Sequence, residues 1–389
     1  MLPLYHKTAV LSTDFLFRFR GFAFFSKCGV RNSPESCTTE FGKVYNIILF
    51  QLTKTVEICY NTNSASAFVC VQCDLVLQKG ETTMKYRKLT DINQAMTAFE
   101  DAMRQADLAF LDELEKVADA IRKTAVERPV ILLAGPSGSG KTTTAFLLER
   151  FLDGWGAETH TISMDNFFST MTPQQREMAA TGKLDLESPA RVDIPYLNQQ
   201  LQSIIACKPT WMPRYHFPTT TRIDQDWQLT RKPGELLLLE GIHALNPDVI
   251  TIPEEMTVRL YVSVRTRVTN GETVLHPSRL RLMRRMLRDK NFRQRSVAET
   301  LSMFEHVQAG EHKYIAPYKK RADFSIDTFL PYELGIYKTL LDGELEAEMQ
   351  HPMLLELRQM WDDVAPLTLE HVPADSLVRE FAGDSVFQY

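Results

Sequence analysis

Apolar positions along this chain follow two rhythms. Short unbroken runs at residues 130–134, 236–239 and 258–264 read as strands buried on both faces. Residues 159–163 read as a further strand, and residues 322–327 alternate as a last strand would. Between these runs lie stretches with helical spacing. Asp91 is placed to cap a long helix reaching about Thr124, with Ala95, Phe99, Met103, Phe110, Leu114, Val117 and Ile121 as its apolar stripe. Helix composition follows the first run at 143–151. Pro173 opens a helix that Gly182-Lys183 stops, and Asp193 caps another over 194–206. Further helices are expected at 278–289, 297 to about 321, 332–341 and 349–364, whereas the proline-rich passage 208–222 reads as irregular. Strands alternating with helices predict an α/β fold, a parallel sheet covered by helices on both faces. Residues 125–345 read as its domain, flanked by added helical segments at 84–124 and 346–389.

The first 83 residues break this pattern. They hold 14 of the chain's charged residues against 79 in the remaining 306, and five of its six cysteines. Their apolar pieces show no sustained period. The Cys70-x-x-Cys73 pair has no second pair at metal spacing, and Arg18 and Arg20 interrupt any signal-peptide core. Lys79-Gly80-Glu81 is one of the tripeptides that a ribosome-binding sequence can encode when read in frame, and Thr82-Thr83 then matches its short spacer before Met84. The expectation is therefore that translation starts at Met84 and that residues 1–83 are a non-native or disordered extension. Over the whole chain the net charge is −5 and 44% of residues are apolar. This balance gives no sign of a nucleic-acid partner or an anionic membrane, and no run is long enough to cross a bilayer. A cytoplasmic protein acting on small molecules is expected.

The chemistry centres on Gly135-Pro136-Ser137-Gly138-Ser139-Gly140-Lys141-Thr142, which fills every fixed position of G-x-x-x-x-G-K-[ST] between a strand and a helix. The glycines let backbone N–H groups curl around phosphate oxygens, and the helix N-terminus favours the same anion. Lys141 is placed to reach the terminal phosphates, Thr142 to hold Mg²⁺, and Thr143 to join the cradle. ATP or GTP with Mg²⁺ is the expected ligand of this P-loop. Asp165, just past the second strand, is placed either to accept a proton from a substrate hydroxyl or to cap a turn. Glu240, ending the strand at 236–239, is placed to orient the metal or a substrate hydroxyl, or to cap its strand. Arg281, Arg284 and Arg288 stand three and four apart, on one helix face, as a phosphate clamp would; Arg293 follows. Phe167, Phe168, Tyr215 and Phe217 are candidates to stack on a base or to fill the core.

The ordered set GPSGSGKTTT (135–144), SMDNFF (163–168), ESPARVD (187–193), PRYHF (213–217), LLLLEGIHALNP (236–247), RLRLMRRMLRD (279–289) and GEHKYIAPYK (310–319) resembles the uridine kinase family, within the uridine kinase and phosphoribulokinase group. VPADSLVREFAGDS at 372–385 is similar to the end of its long bacterial members. The resemblance implies a P-loop NTPase fold and ATP-dependent phosphorylation of the 5′-hydroxyl of uridine or cytidine. It makes Asp165 the general base. It gives Glu187 the ribose hydroxyls, puts Tyr215 and Phe168 beside the nucleoside, and makes Arg281, Arg284 and Arg288 phosphate or lid residues. It also implies a homo-oligomer. Three positions depart from the family pattern: Phe168 stands for a tyrosine, Thr220 for a base-reading histidine and Glu187 for an aspartate. These departures keep open another small hydroxylated acceptor, a phosphorylated pentose or a different nucleoside. A non-enzymatic nucleotide-dependent regulator is the remaining alternative.

Overall fold

A computed structural model of the chain describes residues 85–180 and 183–387, together with two short strands before them. Those strands, β1 (Glu57–Tyr60) and β2 (Ala67–Cys70), pair antiparallel within a unit of their own, Met1–Gly80. The expected start at Met84, the other readings on residues 1–83 and the expected stop at Gly182 lie outside the described residues.

The second unit begins with β3 (Tyr86–Lys88), α1 (Leu89–Ala95) and α2 (Phe99–Lys123). Then follow β4 (Val130–Ala134), α3 (Lys141–Gly154), β5 (Thr159–Ser163), α4 (Pro173–Ala180) and α5 (Ile194–Ile205). Next come β6 (Thr210–His216), β7 (Thr221–Leu229), β8 (Leu236–Glu240), β9 (Thr257–Ser263), β10 (Arg267–Asn270) and β11 (Thr273–Leu275). The chain ends with α6 (Pro277–Arg293), α7 (Val297–Tyr314), β12 (Phe324–Asp327), α8 (Glu333–Glu348), α9 (Leu355–Arg358) and α10 (Arg379–Ala382).

Five strands form the central sheet in the order β12-β9-β4-β8-β5, and every pair is parallel. Successive strand side chains point to opposite faces. Ile131, Leu133, Leu236 and Leu238 enter one apolar cluster, packed with α2, α3, α6 and α8. Val130, Leu132, Leu237 and Leu239 enter another, packed with α5 and the β6–β7 hairpin. Burial on both faces explains why these strands are unbroken apolar runs rather than alternating ones. The P-loop NTPase architecture follows: β4 lies at the middle of the sheet and feeds the glycine-rich loop into α3.

Four expectations change. The first helix starts at Leu89 with Lys88 before it, so Asp91 sits in its first turn and does not cap it. It is then interrupted at Met96–Ala98. Asn93 anchors this segment to the C-terminal region through Asp363 and Ala365. Second, residues 208–222 are ordered: β6 and β7 form an antiparallel hairpin, and Pro213 falls where the register shifts between Met212 and Arg214. A bulge is where a strand tolerates a residue with no N–H. Third, α7 stops at Tyr314, and a 3₁₀ turn spans Ala316–Arg321 with Pro317 near its start. Fourth, residues 349–364 form only a 3₁₀ turn, the single turn α9 and bends, because Pro352 ends the pattern early. A small sheet of β11, β10 and β3 carried no sequence signal strong enough to be read. Among the described residues no helix is long and apolar enough to cross a membrane.

Candidate functional site

The loop between β4 and α3 is held in a shape only glycine-rich sequence permits. Gly138 and Gly140 have φ of 74° and 84°, the left-handed region that costs other residues strain. Gly135 has no room for a side chain, since a Cβ there would lie 2.0 Å from the carbonyl oxygen of Val262. Lys141, half-buried, donates from Nζ to the Pro136 carbonyl at 3.3 Å, which curls it back over its own loop. A carboxylate already stands at the start of α3: Glu380 Oε2 accepts from the Thr143 N–H at 3.2 Å and from its Oγ1 at 2.7 Å. Leu377 closes against Gly140, whose Cβ would meet it at 2.6 Å. Sequence reasoning missed this C-terminal cover; contacts across 237 residues leave no local pattern.

The basic helix α6 runs beside the same loop. Arg281 Nη1 donates to the Ser137 carbonyl at 3.0 Å, and Nη2 pairs with Glu311 at 2.6 Å. Arg285 Nη1 and Arg288 Nη2 both donate to Ser137 Oγ, at 2.9 and 3.1 Å. Arg284 corrects the expectation of a phosphate clamp. It is wholly enclosed, forked onto Glu333 at 2.7 and 2.9 Å, and donates to the Gly138 carbonyl and Thr328. All its polar directions are occupied inside the protein, so it braces the loop from behind. Arg285, four after Arg281 on the same helix face, reaches Ser137 Oγ, whereas Arg284 turns to Glu333. Asp289 is the nearby acid, paired with Arg285, Arg293 and Arg295. Crowding by Arg288, with burial, pushes Arg293 down to about 9. The region carries more cations than acids.

Asp165 lies in the 3₁₀ turn directly after β5, and Glu240 is the last residue of β8, the adjacent strand. Strand C-terminal ends therefore bring both to the mouth of the P-loop. Glu240 is buried and accepts from Ser163 Oγ at 2.6 Å. Burial pushes its carboxyl up to about 7, with Lys141 opposing and Asp165 adding to the rise. Glu187 is also buried, and desolvation raises it against the fields of Arg285 and Lys141. Gly310 of α7 leaves room for the Glu187 side chain, since a Cβ there would lie 2.4 Å from Glu187 Cβ. His243, missed in the sequence, is 1% exposed beside Tyr314, and burial pushes its ring down to about 4.

Phe168, Tyr215 and Phe217 gather edge to face, with centroids 5.2 to 6.4 Å apart. The Tyr215 N–H donates to Asn166 Oδ1 at 3.2 Å, which ties the hairpin to the turn carrying Asp165. Phe167 is different: it is fully buried in the core. Thr220 sits at the hairpin turn with φ of 55°. Among the described residues no three acids, histidines or cysteines cluster as a metal site would. Thr142 and Glu240 are hard oxygen donors, the kind that holds Mg²⁺ together with phosphate oxygens rather than in an all-protein cage.

Comparison with known proteins places the chain in a family. The model of the "Phosphoribulokinase / Uridine kinase family" matches residues 130–331. The chain is 29% identical over 206 residues to a uridine kinase of Lactobacillus helveticus, covering 52% of this chain and 87% of that protein. It is 29% identical over 203 residues to a uridine kinase of Deinococcus deserti, covering 51% and 87%. Among solved structures, D-glycerate 3-kinase from Cryptococcus neoformans is 14% identical, with a TM-score of 0.38 over 56% of this chain and 89% of that one. With its glycine-rich loop, parallel sheet and family match over more than half its length, this chain belongs to the phosphoribulokinase/uridine kinase family of P-loop kinases.

Proposed function

We propose that the chain transfers the terminal phosphoryl group of ATP or GTP to a hydroxyl of a small acceptor. The observation that carries this is the placement of Lys141 at the start of α3, Asp165 just past β5 and the buried Glu240 at the end of β8, with Glu187 also buried. The backbone of residues 135–142 and Lys141 cradle the phosphates; Thr143, expected to join them, instead gives its N–H and Oγ1 to Glu380. Arg285 and Arg288, held on Ser137, face the charge that spreads over the transferred group. Thr142 and Glu240 would hold Mg²⁺, which would supply positive charge against that of the phosphates. Asp165 takes the proton from the acceptor hydroxyl. Glu187 accepts from a second acceptor hydroxyl, and Tyr215 and Phe168 pack on the acceptor's body. Most of the rate then comes from placing two reactants and meeting developing charge with fixed dipoles.

The names of the relatives put uridine and cytidine at the head of the acceptors to test. Phe168 and Thr220, which present no polar edge of the expected kind, favour a wider panel. The test is ADP release by the whole chain with Mg·ATP and separate acceptors: uridine, cytidine, other nucleosides, pentose phosphates and none. Stimulation by any one of them supports phosphoryl transfer to a small hydroxylated acceptor. Retained ATP binding with no stimulation by any acceptor contradicts it and leaves the nucleotide-dependent regulator.

A further inference from the structure

Arg191 has no role in the mechanism above, and its surroundings are unusual for a guanidinium. It is 6% exposed, at the end of the 3₁₀ turn Pro189–Arg191. Its backbone is fixed beside the aromatic trio: its carbonyl accepts from Ser169 N–H at 2.9 Å, and Val192 bridges to Phe168. Its charged end lies 6.0 Å from the Phe168 ring centre. Among the described residues its polar partners are two neutral oxygens, both reached through Nη2. They are the Ser169 carbonyl at 3.3 Å and the Tyr215 hydroxyl at 3.5 Å.

The other buried arginines are better provided for. Arg284 has the Glu333 carboxylate, Arg281 has Glu311 and Arg259 has Glu254 and Asp323. Arg231, 7% exposed, has no carboxylate but donates from Nε to the Glu235 carbonyl at 2.8 Å and from Nη1 to that of Ile205. Among the described residues Arg191 alone combines deep burial, a full charge and two long neutral contacts from one nitrogen. Burying a charge without a counter-charge is costly, and such a cost persists in a binding site when a ligand supplies the partner.

We propose that Arg191 is a specificity-determining residue that binds an anionic group, a phosphate or carboxylate, on the end of the acceptor remote from the reacting hydroxyl. The inference rests on the proposed placement of the acceptor between Asp165 and the aromatic trio. A guanidinium presents a planar fork that matches an oxyanion in two parallel bonds. Only Nη2 is engaged in the protein, so Nε and Nη1 are the donors left for that fork. The body of the acceptor then packs on Phe168 and Tyr215. A neutral acceptor of the same shape leaves the charge unpaired, and a site built this way discriminates strongly.

The experiment uses the full chain in two assays. In the first, kcat/KM is measured for matched neutral and anionic acceptors, ribose with ribose 5-phosphate and glycerol with glycerate, and for uridine. The expected result is a preference for the anionic member of at least roughly 10-fold. Arg191→Gln should raise the anionic acceptor's KM by roughly 10²-fold while KM for ATP stays put, and Arg191→Lys should recover part of the loss. In the second, inorganic phosphate binding is measured by calorimetry with the nucleotide site saturated by Mg·ADP. Arg191→Gln should abolish one phosphate site that Arg191→Lys weakens. Preferred turnover of neutral acceptors, unchanged by Arg191→Gln, overturns the proposal and leaves phosphoryl transfer intact. If no acceptor turns over, the phosphate assay decides: equal binding by wild type and both variants overturns it, and selective loss sustains it. Melting curves on both variants separate loss of the site from loss of the fold.

Discussion

Arginines illustrate how far single residues can be read from sequence. Their spacing put Arg281, Arg284 and Arg288 on one helix face, yet neighbours on this helix meet different partners. Arg285 and Arg288 reach Ser137 Oγ, whereas Arg284 is enclosed with Glu333. Helical spacing gives direction around the axis; what lies opposite is set by residues 49 positions away, such as Glu333. His243 was silent in the sequence for the same reason. It is neutral in the fold because of burial, and that has a consequence for stability. Between about 4 and 6.5 the folded ring binds fewer protons than the unfolded one, so its contribution makes stability rise with pH across that window. Full expression amounts to about 3 kcal/mol. Burial raises Asp107 to about 6, and it slopes the opposite way; only a difference between variants isolates the histidine. Glu240, raised to about 7, slopes the same way as Asp107. Denaturant unfolding at pH 4.5 and pH 7 should therefore show the pH 7-minus-pH 4.5 stability difference of wild type exceeding that of His243→Gln by about 2 kcal/mol. An unchanged slope would mean the ring is not buried neutral.

Elements were legible where burial imposes one pattern and illegible where turns decide. The strand at 130–134 matches the observed bounds, because a strand covered on both faces must be continuously apolar; 159–163, the partly buried edge strand Thr-His-Thr-Ile-Ser, matches its bounds without that pattern. The hairpin of β6 and β7 was hidden by Pro213, whose missing N–H falls at the bulge. The Asp193 cap was readable because it is local: its side chain accepts from Tyr196 N–H at 3.2 Å. Its second duty was not, an ion pair to Arg222 of β7 at 3.0 Å. Asp193→Ala should therefore cost more than a cap alone, about 2 kcal/mol in denaturant unfolding. A loss below about 0.5 kcal/mol would mean the tie to the hairpin contributes nothing.

At the scale of the second unit, the end of the chain is built into its nucleotide loop. Phe387 stacks on Phe146 of α3 at 5.3 Å, and Arg150 pairs with Asp375. Tyr332 donates to Asp107 of α2 at 2.6 Å and meets Ser376 at 2.8 Å, so the first and last helical segments are joined behind α3. Hydropathy suggested added helices at both ends; it carried no sign that they meet. Leu377→Ala removes a side chain that is 1% exposed and packed on Gly140, and should destabilise this unit by about 2–4 kcal/mol. Thermal unfolding checks it, and a melting point equal to wild type would detach the C-terminal segment from the loop.

The central claim is that this fold carries a phosphoryl transfer whose acceptor proton leaves through Asp165. The most direct measurement is acceptor-dependent ADP release by wild type and Asp165→Asn, with ATP affinity measured on both. The account predicts turnover lowered by roughly 10²- to 10⁴-fold in the variant, with ATP bound as tightly as before. Wild-type turnover in Asp165→Asn, with the same acceptor, would contradict it.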